Sequence, residues 1–262
     1  MNPTKLLAFL LIIIVILPQV SMAARERLDP LTADSLAQAT DDPLERADLY
    51  NDAWLDQKAI DELLVTGTSD AATLWRLARA RINIGENQEG EAALPYYEKA
   101  LEEAQAAVDL DPENADAQLT LAIACGRVAL FKGVFKSLGL VKRVHNAALQ
   151  AVALSDSIPI AQYVLGRTHK KLIEKPGIIR GPLGIGWAKE DSVAYYFEQA
   201  LEVSAGNMIQ CRVEYADFLL DRKNDKENAK SMLEAALALP LRDEQDLKAK
   251  MWAEELLKET EE

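Results

Sequence analysis

The sequence predicts an all-α fold, a solenoid of stacked antiparallel helix pairs, and three observations carry that prediction. Ala and Leu are abundant, aromatic residues make up only 6%, and no alternating β-branched run occurs. A Leu followed by a small residue recurs as Leu77-Ala78, Leu121-Ala122 and Leu165-Gly166, each within the first helix of a pair. The second helices then close on related phrases that open at Ala107, Ala151, Ala200 and Ala236. A small residue beside Leu lets two helix backbones approach closely. The apolar residues that close each second helix are expected to cover the next pair, and Pro112 and Pro240 stop their helices. Single helices of this length are marginal alone, so stacking must stabilise them.

The first 23 residues read as an address. Lys5 lies in a short polar start, an apolar run extends from Leu6 to Leu17, and Ser21-Met22-Ala23 precedes Ala24. These are the three regions of a secretory signal peptide. The run is about a dozen residues, well short of the ~20 that cross a bilayer as a helix. Cleavage after Ala23 and retention as an anchor are the two readings, and cleavage fits the length of the run. No later stretch is apolar enough to span, and no Asn begins an Asn-X-Ser/Thr acceptor without Pro. The expectation is an exported protein, bacterial periplasmic or secreted, with no stable membrane span once the leader is removed.

Residues 24–70 form an N-terminal helical segment in which Asp42 to Val65 reads as a hairpin packed on the front of the stack. Residues 71–240 hold the repeats. Extra polar residues between Gly85 and Tyr96 and a Gly/Pro-rich insertion from Lys175 to Lys189 interrupt the spacing. Residues 241–262 supply a capping helix from Leu241 to Leu257, and Glu259 to Glu262 are expected to fray.

Composition excludes several classes of work. Twenty-nine Lys plus Arg against 42 Asp plus Glu leave a net charge of −13. That argues against a nucleic-acid partner, whose affinity comes from neutralising phosphates. Two His and two Cys leave little raw material for metal or thiol chemistry. The Gly-rich stretch Pro176 to Gly186 lacks the Gly-Lys-Ser/Thr ending of a phosphate loop and follows a helix, so it reads as a long turn. His145, in the basic phrase Lys142-Arg143-Val144-His145, reads as solvated, and His169 as a packed core residue. Cys125 and Cys211, two repeats apart, read as unpaired thiols, because a bridge needs Cα atoms within about 7 Å. No Gly-X-Ser-X-Gly elbow occurs, and pairs such as Glu102-Glu103 sit on solvated faces. No motif calls for a cofactor, a metal or an enzyme.

From about Ala71 to Pro240 the chain resembles the tetratricopeptide repeat family. Several phrases resemble a narrower group, the regulator of microtubule dynamics family and its bacterial relatives. They are Trp75 to Ala80, Asp111 to Ala115, Gly126-Arg127, Val164 to Arg167, and the tail Leu239 to Asp246 with Leu256-Leu257. The resemblance implies a tetratricopeptide solenoid without enzymatic activity. The family name implies a microtubule partner, whereas a signal peptide implies a compartment without microtubules. The chain also looks like periplasmic tetratricopeptide partners of transporters.

The same resemblance places first helices along the concave face. Aligning the Leu-small pairs then puts Trp75, Arg76, Arg79 and Asn83 on that face in the first repeat and Arg127 in the second. The third supplies Tyr163, Arg167, Lys170 and Lys171, and the fourth Tyr215, Phe218 and Arg222. Residues 71–85 carry Arg76, Arg79 and Arg81 and no acid. The expectation is a basic, aromatic-studded groove in an acidic protein, holding an acidic segment or a C-terminal carboxylate of a protein or peptide partner. The alternative is a solute-capturing accessory of a transporter, taking a small anionic or apolar ligand.

Overall fold

The computed structural model describes residues 28–67, 69–242 and 244–261. Among them are thirteen helices and no strand. The leader lies outside the described residues. α1 (Pro30–Ala37) begins at Asp29, whose carboxylate accepts from the N–H groups of Leu31 and Thr32 at 3.1 and 3.0 Å. Only two turns long, it is too short for the sequence pattern to announce. α2 (Pro43–Asp52) and α3 (Asp56–Val65) pack against each other, with Asp42 as the N-cap of α2.

The repeats follow. α4 (Ala71–Glu86), capped by Asp70, pairs with α5 (Leu94–Leu110), and the polar interruption between them contains a 3-10 turn at Gly90–Ala93. α6 (Ala115–Lys132), capped by Asn114, pairs with α7 (Leu138–Leu154). α8 (Pro159–Ile173) pairs with α10 (Glu190–Val203), and the insertion between them contains the single turn α9 (Gly177–Arg180). α11 (Ile209–Phe218), prolonged by a π turn at Leu219–Lys223, pairs with α12 (Lys226–Ala238). α13 (Glu244–Glu261) closes the stack against α11 and α12. It continues as far as Glu261, within the stretch expected to fray, and buries Ala249, Ala253 and Leu256.

The small residues do what close helix approach requires. Ala78 and Ala122 are fully buried in one core cluster with Ala100, Ala104 and Ala148. A Cβ on Gly166 would sit 2.8 Å from the Phe197 ring on α10, so only glycine fits there. Ala107, Ala151, Ala200 and Ala236, which open the closing phrases, are all fully buried. The larger residues that end those phrases behave otherwise. Leu110 is 60% exposed and Leu154 39%, so the alanines, not these leucines, meet the neighbouring helices.

A concave groove as the candidate functional site

Along α4, α6 and α8 the positions two and six places after the Leu of each Leu-small pair face one hollow. They are Arg79 and Asn83, Ile123 and Arg127, and Arg167 and Lys171. The hollow has a volume of about 350 Å³ and a largely apolar floor that includes Ile82, Val144, Val164, Leu172 and Met208. Trp54, in the α2–α3 turn, and Arg242, in the segment before α13, complete the wall. Trp54 holds a left-handed backbone (φ 61°), an uncommon conformation for a bulky residue. Arg242 Nε is fixed on Asp246 Oδ2 at 2.7 Å.

The cations of the hollow are tied to carboxylates. Arg79 Nη2 lies 2.9 Å from Asp52 Oδ1, and its Nη1 lies 3.7 Å from Asp48 Oδ1. Arg127 pairs with Glu86 across α4 and α6. Arg167 Nε lies 2.9 Å from Glu214 Oε1, which also accepts from Tyr163 OH at 3.1 Å. Lys171 pairs with Glu174 at 2.9 Å on the exposed rim. Asn83 donates from Nδ2 to Asp56 Oδ1 at 2.8 Å. Burial pushes the Asp56 carboxyl up to about 6, although the Asn83 hydrogen bond and Arg79 pull it down. Burial and the adjacent Glu214 hold the Tyr163 phenol well above its usual range.

Six of the twelve expected residues therefore share the hollow: Arg79, Asn83, Arg127, Tyr163, Arg167 and Lys171. The other six are placed elsewhere. Trp75 is buried with Ala107 and Ala117, and Arg76 stacks on its ring while binding Asp48 at 2.8 Å. Lys170 is buried between Asp217 at 2.6 Å and Glu214 at 3.8 Å. Tyr215 donates to Glu198 at 2.6 Å, and Phe218 is 1% exposed. Arg222 donates to the Ile173 carbonyl at 2.7 Å. The wall is thus a paired, mixed-charge surface and not a bare basic one. Sequence reasoning missed Asp52, Glu86, Trp54 and Arg242. The spacing of Asp48 and Asp52, one helical turn apart on α2, was the available signal for the first.

His145 is half-buried and not fully solvated. Its ring stacks on Trp187 of the insertion at 3.7 Å and lies 5.6 Å from His169. His169 is buried, as expected, and its Nδ1 accepts the Lys189 N–H at 3.2 Å. Burial and the neighbouring His145 lower His169 to about 4. Cys125 and Cys211 are both buried and free, and burial pushes the Cys125 thiol up to about 11. The Gly-rich stretch is a turn between α8 and α10. Among the described residues no group of three or more His, Cys, Asp or Glu is arranged to hold a metal ion.

A curved stack of helix pairs with a lined hollow defines the class, a tetratricopeptide-like repeat protein. The family model described as Regulator of microtubule dynamics protein 1-3 matches residues 43–261, and the chain belongs to that family. Regulator of microtubule dynamics protein 3 from Bos taurus is 28% identical over 176 residues, 64% of this chain and 36% of the relative. The Rattus norvegicus protein of the same name is 28% identical over 138 residues, 52% of this chain and 27% of its own. The chain thus spans about a third of the length of these relatives. Among solved structures, a thermophilic tetratricopeptide protein from Thermus thermophilus aligns with a TM-score of 0.52 at 18% identity. The alignment covers 87% of this chain and 98% of that one, a likeness of fold alone.

Proposed function

We propose that this protein is a non-enzymatic interaction scaffold whose hollow holds a segment of another protein that ends in, or carries, a carboxylate. The observation that supports this is the superposition of two chemistries in one place. Arg127, Arg167 and Lys171, from successive repeats, stand around an apolar floor containing Ile123, Val164 and Leu172. An extended peptide offers both halves, apolar side chains for the floor and a carboxylate for the guanidinium fork. Because the arginines already hold Glu86 and Glu214, the incoming carboxylate exchanges partners instead of meeting naked charge. That favours selectivity over raw affinity.

The leader supports a place outside the cytoplasm, periplasmic or secreted. The microtubule role in the relatives' name transfers to this chain only if the leader leaves it facing the cytosol.

The test is fluorescence polarisation with a panel of apolar-acidic peptides, each made with a free and an amidated C-terminus. Free-acid peptides are expected to bind at least about tenfold more tightly, the value of one lost charge-assisted hydrogen bond. Arg167→Gln with Lys171→Glu is expected to abolish that preference while keeping the helical circular-dichroism signal. Equal binding of both peptide forms, or none, ends the reading. A second reading, capture of a small amphiphilic anion for a transporter, is favoured by the volume of the hollow, which falls in the range of small-molecule sites. It predicts thermal stabilisation by carboxylate metabolites and none by peptides.

A further inference from the structure

The concave groove uses only part of the most unbalanced charge in the chain. Residues 117–189 hold eleven Lys and Arg and two acids, Asp156 and Glu174, within a protein of net charge −13. Five of those cations are spoken for by carboxylates: Lys132 by Glu98, Arg127 by Glu86, Arg167 and Lys170 by Glu214, and Lys171 by Glu174. Among the described residues, Lys136, Lys142, Lys175 and Arg180 make no ion pair of this kind.

These four belong to one edge of the stack, the edge where each first helix turns into its second. Lys136 lies in the 3-10 turn before α7, and Lys142 in the second turn of α7. Lys142 reaches the insertion, since a Cβ on Gly184 would lie 2.6 Å from its Nζ. Arg180 folds back onto the Ala188 carbonyl and so frames the same turn. At the tip of the insertion, α9 presents Ile178, 86% exposed, and Ile179, 42% exposed. The acids that flank the insertion are drawn elsewhere: Glu174 to Lys171, and Glu190 to Lys223 at 3.2 Å, while Asp191 sits in the first turn of α10.

We propose that this edge docks on an anionic membrane surface, with Ile178 and Ile179 entering the headgroup layer and Lys136, Lys142 and Lys175 against the lipid charges. Exposed aliphatic side chains in a turn on the same edge as cations without acidic partners combine the two forces that hold a peripheral protein at an interface. A protein partner is the weaker fit. The isoleucines line neither of the two hollows described by their lining residues, whereas a lipid surface asks for no complementary cavity. No described helix is long and apolar enough to cross a membrane, so this contact is peripheral.

The test uses the full-length chain carrying Ile178→Cys, labelled with an environment-sensitive fluorophore. Cys125 and Cys211 are buried and leave the new thiol as the reactive one. A second sample carries the label at Leu110→Cys, exposed at the end of α5 on the opposite edge. With phosphatidylglycerol/phosphatidylcholine vesicles the Ile178 label is expected to shift to the blue and the Leu110 label to stay unchanged. Phosphatidylcholine alone and high salt are expected to give no shift. Lys136→Glu, Lys142→Glu and Lys175→Glu together are expected to weaken the response at least about tenfold, as loss of surface attraction requires, with the circular-dichroism melt unchanged. No shift at Ile178, or equal shifts at both labels, overturns the proposal. A shift with polyglutamate but not with vesicles also overturns it, in favour of an acidic polypeptide.

Discussion

Two stretches of this chain look alike in sequence and behave oppositely in the fold. Residues 71–85 carry three arginines and no acid, and residues 175–189 carry Lys175, Arg180 and Lys189 and no acid. On α4 every arginine is neutralised by a carboxylate from another helix: Arg76 by Asp48, Arg79 by Asp48 and Asp52, and Arg81 by Glu103. In the insertion, neighbouring helices send a lysine toward the turn instead, Lys142 against Gly184. The local count of charges is the same in kind. What differs is the surface each stretch is packed against, and that surface is set by tertiary structure.

The largest consequence concerns stability. Arg79 is only 8% exposed and lies between two aspartates, so Arg79→Met takes a buried cation from Asp52 and leaves Asp48 to Arg76 in a poorly solvated site. Breaking a buried pair from one side costs about 3–5 kcal/mol. Urea denaturation of the variant is expected to show a loss near the lower bound with an unchanged slope. Lys175→Ala, in the insertion, is expected to stay within about 0.5 kcal/mol of the parent. Equal losses in both variants would erase the contrast.

Titration sharpens the same comparison, because the two regions carry buried groups of opposite slope. Asp56, beneath Arg79, has its carboxyl raised from 3.8 to about 6. A raised carboxyl pKa means the folded state binds the proton first. Stability from Asp56 is therefore greatest below pH 4 and is lost as pH rises through 6, about 2–3 kcal/mol in all. His169, beside the insertion, is lowered from 6.5 to about 4, so its contribution is present above pH 6.5 and lost as pH falls toward 4. The two slopes oppose each other between pH 4 and 6.5. Asp56→Asn removes one of them. The variant is expected to be more stable than the parent at pH 7.5 by about 2 kcal/mol, and to lose stability steeply on acidification. Parallel pH profiles for variant and parent would show that Asp56 ionises freely in the fold.

The parts of the molecule that were legible in the sequence are those decided by local rules. Leu77-Ala78 and Leu165-Gly166 announced close helix contacts because only a small side chain allows them, and the packing of Ala78 and of Gly166 against Phe197 follows that rule. The same pairs set the rotational phase of α4, α6 and α8, which is why residues two and six places later reach the hollow. Trp75 and Arg76 precede the pair in α4 and turn toward the neighbouring helices. The fourth repeat has no Leu-small pair to set its phase, and the π turn at Leu219–Lys223 rotates Arg222 onto the Ile173 carbonyl. The mixed charge of the hollow was illegible for a different reason. Asp48 and Asp52 are distant in sequence from the arginines they bind, and only the seating of the N-terminal hairpin on α4 brings them together.

The smallest expected effect applies the same reasoning to two glycines inside helices. In isolation each costs about 1 kcal/mol relative to Ala, through backbone entropy. Gly126, on α6, has room: a Cβ there would lie 3.8 Å from Val144, an ordinary contact. Gly166, on α8, has none, since its Cβ would be driven to 2.8 Å from the fully buried ring of Phe197. Gly126→Ala is expected to raise stability by about 0.5–1 kcal/mol, and Gly166→Ala to lower it by about 1–2 kcal/mol as the ring is displaced. Thermal melts of the two variants read the difference directly as midpoints moving in opposite directions. Phe197→Leu in the Gly166→Ala background supplies the decisive check: it vacates the ring, and part of the lost stability returns if the ring is what the new methyl group strikes.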